Sequence, residues 1–84
     1  MYSSHKLLIA NRGEIAVRVI QACKDLAIRS VVIYADDDIA SLHVKMADEA
    51  WALSGLTAKE TYLDINKILA IAKKAQVTMI HPGY

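Results

Sequence analysis

A chain of 84 residues holds one domain at most, and a domain of that size buries only about 60–65% of its unfolded surface, so its core has little to spare. Hydrophobic residues make up 55% of it and charged residues 23%, with one proline, three glycines and no low-complexity tract, which excludes a disordered chain. The formal charge of +1 has its two signs interspersed, no apolar run nears the roughly 18 residues of a membrane span, and the first six residues lack a signal-peptide pattern. The expectation is a cytosolic protein that contacts neither membrane nor nucleic acid, the few aromatic residues being too dispersed to stack bases.

Lys6 to Ala10 is a short apolar run closed by Asn11 and Gly13, the pattern of a strand buried on both faces. From Glu14 onward apolar residues recur at Ile15, Val19, Ala22, Cys23 and Leu26. This spacing predicts a helix with that stripe inward and with Arg18, Gln21 and Asp25 on another face. The lone cysteine, Cys23, has no partner for an internal disulfide, which suits a reducing compartment. Lying in an apolar helical pattern with no histidine beside it, it reads as core filling rather than as a nucleophile. Ser30 to Tyr34, rich in β-branched residues, predicts a second strand. The acidic triplet Asp36, Asp37, Asp38 follows, then a short helix over Ile39 to Ala47 with one of those acids as its cap, and a short third strand over Ala50 to Leu53.

Ser54 to Leu63 is a polar connection in which Thr57 and Glu60 have the spacing of a capping box. Asp64 is placed to cap a longer helix with Ile65, Ile68, Leu69, Ala72 and Ala75 inward and Lys67, Lys73 and Lys74 outward. Val77 to Ile80 predicts a fourth strand, and His81-Pro82-Gly83-Tyr84 turns away from it. Strands alternating with helices imply a parallel sheet with right-handed crossovers. In the doubly wound arrangement the second and third strands lie to one side of the first and the fourth returns on its other side. The carboxyl ends of the first and fourth strands are then neighbours at the switch point, where open sheets of this kind bind ligands.

Gly13 is free to take a positive φ and to open a helix whose first amides face that crevice, an arrangement that suits a phosphate or carboxylate. Glu14 already places a negative charge there, so a plain strand-to-helix turn stands beside the anion-binding reading. A dinucleotide is the weaker alternative. Asp36 follows Gly13 at about the interval from which an acid reaches a ribose hydroxyl, yet Arg12 and Glu14 flank the single glycine where pyrophosphate needs bare backbone. The acidic triplet has no second acidic cluster to complete a cation shell and reads as a solvated turn. His5, His43 and His81 lack a metal-ligand spacing, and His5 and His43 are expected at the surface or its boundary. His81 differs because Pro82 holds it extended and Gly83 permits close approach; Tyr84 is either a pocket wall or a packed ring. Trp51, Met46 and Met79 read as packing residues.

The stretches KLLIANRGEIAVRVIQACKDL, HVKMADEA, TYLDINKILAIA and IHPGY, in this order and over nearly the whole chain, resemble the amino-terminal segment of biotin carboxylases. That family includes the carboxylase subunits or domains of acetyl-CoA, propionyl-CoA and methylcrotonyl-CoA carboxylases and of pyruvate carboxylase. The resemblance implies an α/β, Rossmann-like (pre-ATP-grasp) open parallel sheet of about four strands with helices on both faces, spanning residues 1–84 of a larger ATP-dependent ligase. Such an enzyme uses ATP with Mg2+ or Mn2+, and bicarbonate, to carboxylate a ureido nitrogen of carrier-bound biotin, with carboxyphosphate the usual proposed intermediate. The resemblance further implies that this segment binds no cofactor or metal and holds no catalytic residue. The ATP-clamping lysines, metal-binding acids and base-providing residues belong to later domains, so the chain alone is expected to be inactive.

By the same resemblance Asn11, Arg12, Gly13 and Glu14 form an interdomain loop, and His81, Gly83 and Tyr84, with Pro82 between them, edge the biotin and bicarbonate site. Arg18, Gln21 and Asp25 match helix positions of a dimer contact, Gln21 standing where Arg is often found. The partners implied are the remaining ATP-grasp domains, a biotin carboxyl carrier, a carboxyltransferase and a second copy of the enzyme. The family's loop continues past this tyrosine with Gly-Phe-Leu-Ser-Glu, a helix and a strand. The domain is therefore expected to be truncated at Tyr84, with a poorly covered fourth-strand edge. A free-standing binding or regulatory module and an NAD-binding domain are the alternatives from other functional classes.

Overall fold

Leu8 and Ile9 are both fully buried although consecutive strand residues point to opposite faces, and this pair sets the architecture. A strand apolar on both sides is stable only where helices cover both. The computed structural model describes residues 4–53 and 64–82. In chain order the elements are β1 (Lys6–Ile9), α1 (Gly13–Asp25), β2 (Arg29–Tyr34), a 3-10 turn (Asp36–Asp38), α2 (Leu42–Met46), β3 (Glu49–Ala52), α3 (Ile65–Ala75) and β4 (Met79–His81). All neighbouring strands are parallel, in the order β3-β2-β1-β4, which is the doubly wound order expected from the alternation of elements.

On one face Ile9 and Val32 pack with Ala16 and Ile20 of α1, and Met46 and Ala47 close that core from the end of α2. On the other, Leu8, Val31 and Ile33 lie against Ile68, Ile71, Ala72 and Ala75 of α3, with Trp51 packed at the margin. Trp51 and Met46 thus have the packing roles expected of them. Cys23 is buried, and burial followed by the nearby Asp48 carboxylate pushes its thiol pKa up, the environment of an inert core cysteine. Among the described residues no helix is long and apolar enough to cross a membrane.

The helices are rotated away from the stripes anticipated. In α1 the buried residues are Ala16, Ile20 and Cys23, whereas Ile15 and Leu26 are exposed, Leu26 by 67%. In α3 Ile71 joins Ile68, Ala72 and Ala75 inside, while Ile65 and Leu69 face out. Both helices carry apolar residues over a wider arc than the sheet covers, so periodicity admits two overlapping stripes. The stripe that wins carries small residues (Ala16, Cys23, Ala72, Ala75) that let the helix approach the strands closely.

Asp64 caps α3 as expected, its Oδ1 accepting the Lys67 amide at 3.1 Å. Both long helices stop without glycine. Ala27 and Gln76 take the left-handed backbone with φ of 56°, and the Ile28 and Val77 amides reach back to the Cys23 and Ala72 carbonyls. The helix expected over Ile39 to Ala47 is shorter, and no aspartate caps it. Ser41 holds the cap position, while the triplet forms its own turn, with the Asp38 amide donating to the Ala35 carbonyl and the Ser41 amide to that of Asp38, each at 2.9 Å. His43 also departs from expectation, being only 2% exposed. Its Nε2 donates to the Ile33 carbonyl at 3.4 Å and so ties α2 to the end of β2. The Thr57–Glu60 capping box lies outside the described residues.

Two polar clasps close the amino end of the sheet. Asp48 Oδ2 accepts from the Ser30 amide at 2.9 Å and its hydroxyl at 3.3 Å, and the Asp48 amide donates to Ser30 Oγ at 3.1 Å, which satisfies a fully buried serine. Lys6 Nζ donates to the Ala75 carbonyl at 2.9 Å and meets Glu49 Oε2 at 2.6 Å, linking β1, β3 and the carboxyl end of α3, where a cation also favours the helix dipole. The Lys6 hydrogen bond holds the Glu49 carboxyl below the ordinary glutamate range, overcoming the opposing effect of burial. β4 is an edge strand, with Ile80 partly exposed and an open groove of about 440 Å³ beside it.

Candidate functional site

The chain leaves β1 through Ala10 and Asn11 and crosses by way of α1 to β2 on one side, whereas β4 arrives on the other side. The ends of β1 and β4 therefore meet where the winding reverses. The Ala10 amide donates to the His81 carbonyl at 3.1 Å, continuing the ladder one step past β1. Register pairs Ile9 with His81, so His81 lies on the α1 face of the sheet, and Asn11, two residues beyond Ile9, emerges on that same face. Their side chains meet: His81 Nδ1 is 2.9 Å from Asn11 Oδ1, a contact that spans 70 positions of sequence. Asn11 is 7% exposed, and this bond satisfies a polar group that burial would otherwise penalise.

The turn after β1 is held on its other flank by Arg12, whose Nη1 lies 3.3 Å from Asp38 Oδ2 in the turn after β2. Gly13 then starts α1 with φ of +69°, and an added Cβ would meet nothing within 4 Å. Backbone conformation, not lack of room, makes glycine the favoured residue there. Glu14 accepts from Arg18 at 2.8 Å, but both side chains are about three-quarters exposed, so the pair is a solvated one of little energetic consequence. A groove of about 350 Å³ runs between the start of α1 and α2, with Val17 and Leu42 on its walls and His43 at its base.

The structure thus brings Asn11 and His81 together as neighbours at one crevice, with Arg12, Gly13 and Glu14 leading away from it into α1. Gly83 and Tyr84 lie outside the described residues. Arg18, Gln21 and Asp25 are exposed on α1. His5 is exposed as expected, with Nδ1 3.2 Å from Thr78 Oγ1. Among the described residues no three His, Cys, Asp or Glu side chains gather where a metal could be held. Sequence reasoning placed the two loops at one cleft but missed that Asn11 bonds His81 and that Asp38 pairs with Arg12. The available signal for the first was an amide and an imidazole at the carboxyl ends of two strands expected to be adjacent.

The fold is a doubly wound α/β domain whose switch point is bridged by the Asn11–His81 contact. Residues 3–84 match the family described as biotin carboxylase, N-terminal domain, and the chain belongs to that family. It is 56% identical over 79 residues to the biotin-dependent acyl-coenzyme A carboxylase alpha3 subunit of Mycobacterium leprae, covering 94% of this chain and 13% of that protein. It is likewise 56% identical over 79 residues to the biotin carboxylase of Halalkalibacterium halodurans, covering 94% of this chain and 18% of that protein. The crystal structure of the K. lactis urea amidolyase superposes with a TM-score of 0.92 at 54% identity, covering 95% of this chain and 5% of that one. The chain therefore spans less than a fifth of the length of these relatives.

Proposed function

We propose that this domain serves an ATP-dependent ligase that carboxylates carrier-bound biotin with bicarbonate, and that its own part is to wall the cleft rather than to react. The observation that carries this reading is the Asn11–His81 contact, which joins the two loops of the switch point in a chain more than half identical to a biotin carboxylase. We assign ATP and its Mg2+ or Mn2+ to the rest of the enzyme rather than to this domain. In this reading those groups, and biotin on its carrier, are held by the ATP-grasp domains that complete the enzyme, with a carboxyltransferase as the further partner.

Within that enzyme Asn11, Arg12, Gly13 and Glu14 form the wall toward the other domains, and His81, Gly83 and Tyr84 edge the space where biotin and bicarbonate meet. The exposed Arg18, Gln21 and Asp25 are available for a contact between copies. A reducing compartment such as the cytosol is supported by the single buried thiol of Cys23. Tyr84→Ala in the complete enzyme tests the reading: biotin-dependent, bicarbonate-dependent ATP cleavage is expected to fall about tenfold, the loss of roughly one good contact, with the KM for ATP unchanged. An equal loss of ATP affinity would remove Tyr84 from the carboxylation site.

A further inference from the structure

We infer that Asn11 is a positioning residue that holds the His81 imidazole as its Nδ1–H tautomer, so that Nε2 keeps a lone pair with which to take an N–H donor of the substrate. The tautomer assignment stands on geometry alone, whereas the identity of the donor rests on the carboxylase reading above.

An amide oxygen only accepts hydrogen bonds, so the ring nitrogen 2.9 Å from Asn11 Oδ1 is the one that carries hydrogen. A neutral imidazole has one such hydrogen, and its other nitrogen is left bare. Histidine in water favours the opposite form, with hydrogen on Nε2, so the native tautomer is imposed by the partner. Asn11 is suited to impose it. It is almost fully buried, and the backbone bond from Ala10 to His81 beside it fixes the separation of the two loops. Among the described residues Asn11 and His81 have only each other as side-chain hydrogen-bond partners, and the His81 ring is only partly buried.

His43 provides an internal contrast, because its Nε2 faces the Ile33 carbonyl and must carry hydrogen there. His43 of α2, against the end of β2, and His81 of β4 therefore hold opposite tautomers, one set by a backbone carbonyl and one by the Asn11 amide. A bare Nε2 accepts from a neutral N–H and repels an unprotonated anionic oxygen. The arrangement suits the N–H of a cyclic urea.

The tautomers are read by long-range proton–nitrogen NMR of the full 84-residue chain, labelled with nitrogen-15 at histidine, at about pH 8, where histidine is neutral. His81 is expected to show hydrogen on Nδ1 and His43 on Nε2. Asn11→Leu is expected to move the His81 hydrogen to Nε2 while leaving His43 unchanged, the His43 signal reporting that the fold persists. Hydrogen on His81 Nε2 in the unsubstituted protein would overturn the assignment. In the complete enzyme Asn11→Leu is expected to lower kcat/KM for free biotin about tenfold with KM for ATP unchanged, and Asn11→Asp, which keeps an acceptor, to recover most of it. Unchanged biotin kinetics beside the expected tautomer would overturn the substrate role of Nε2. Lack of biotin carboxylation by the unsubstituted enzyme would instead sink the carboxylase reading and leave the tautomer standing.

Discussion

Ile20→Ala is expected to remove about 2–5 kcal/mol of stability, and Leu26→Ala less than about 0.5 kcal/mol, although both are apolar residues of the α1 segment. Ile20 is fully buried against Ile9, Ala16 and Val32, so truncation leaves a cavity in the smaller of the two cores. Leu26 is 67% exposed and loses little on truncation. A domain of this length has about 4–13 kcal/mol in total, so the first substitution takes a large share of it. Urea denaturation checks this pair: the midpoint of Ile20→Ala should fall with little change in slope, while Leu26→Ala stays near the parent. Equal shifts for the two would mean that α1 turns a different face to the sheet.

The second large effect is expected on acidification. Glu49 has a folded pKa below its unfolded one, so its contribution is fully present above the ordinary glutamate range and is lost as pH falls through the depressed folded value. Lys6 is the main cause of that depression and also serves the Ala75 carbonyl, so Lys6→Met removes two interactions at once. The variant is expected to lose about 1–2 kcal/mol at neutral pH, with both partners only partly exposed, and to lose less on acidification than the parent. Denaturation at a series of pH values reads both effects. A variant that loses as much as the parent on acidification would show that Glu49 draws its depression from elsewhere.

The strand order was legible because four apolar or β-branched runs alternate with helical patterns, and handedness leaves few ways to wind them. Asp64 was legible as a cap because a cap is local chemistry, completed within three residues by the Lys67 amide. What resisted reading was whatever depends on a distant partner. The inward stripe of α1 is selected by the sheet among several apolar positions, and Ile15 and Leu26 match the helical period as well as Ala16 and Ile20 do. The burial of His43 depends on a carbonyl in β2, and the hold on Arg12 depends on an aspartate beyond that same strand. The cleft itself lies between these cases: topology brought the loops after β1 and β4 together, but only coordinates reveal that Asn11 and His81 are bonded.

The placement of β1 between β2 and β4 underlies the cleft, the clasp and the role proposed for both loops. Nuclear Overhauser spectroscopy on the chain tests it most directly, since Ala10 and His81 are joined through their backbones in a parallel ladder. A cross-peak between the Ala10 amide proton and the α-proton of Pro82, just past the accepting His81 carbonyl, together with contacts from β1 to β2, is the result expected. Contacts from β4 to β3 in place of β1 would contradict the account, because the two loops would then open on separate edges of the sheet.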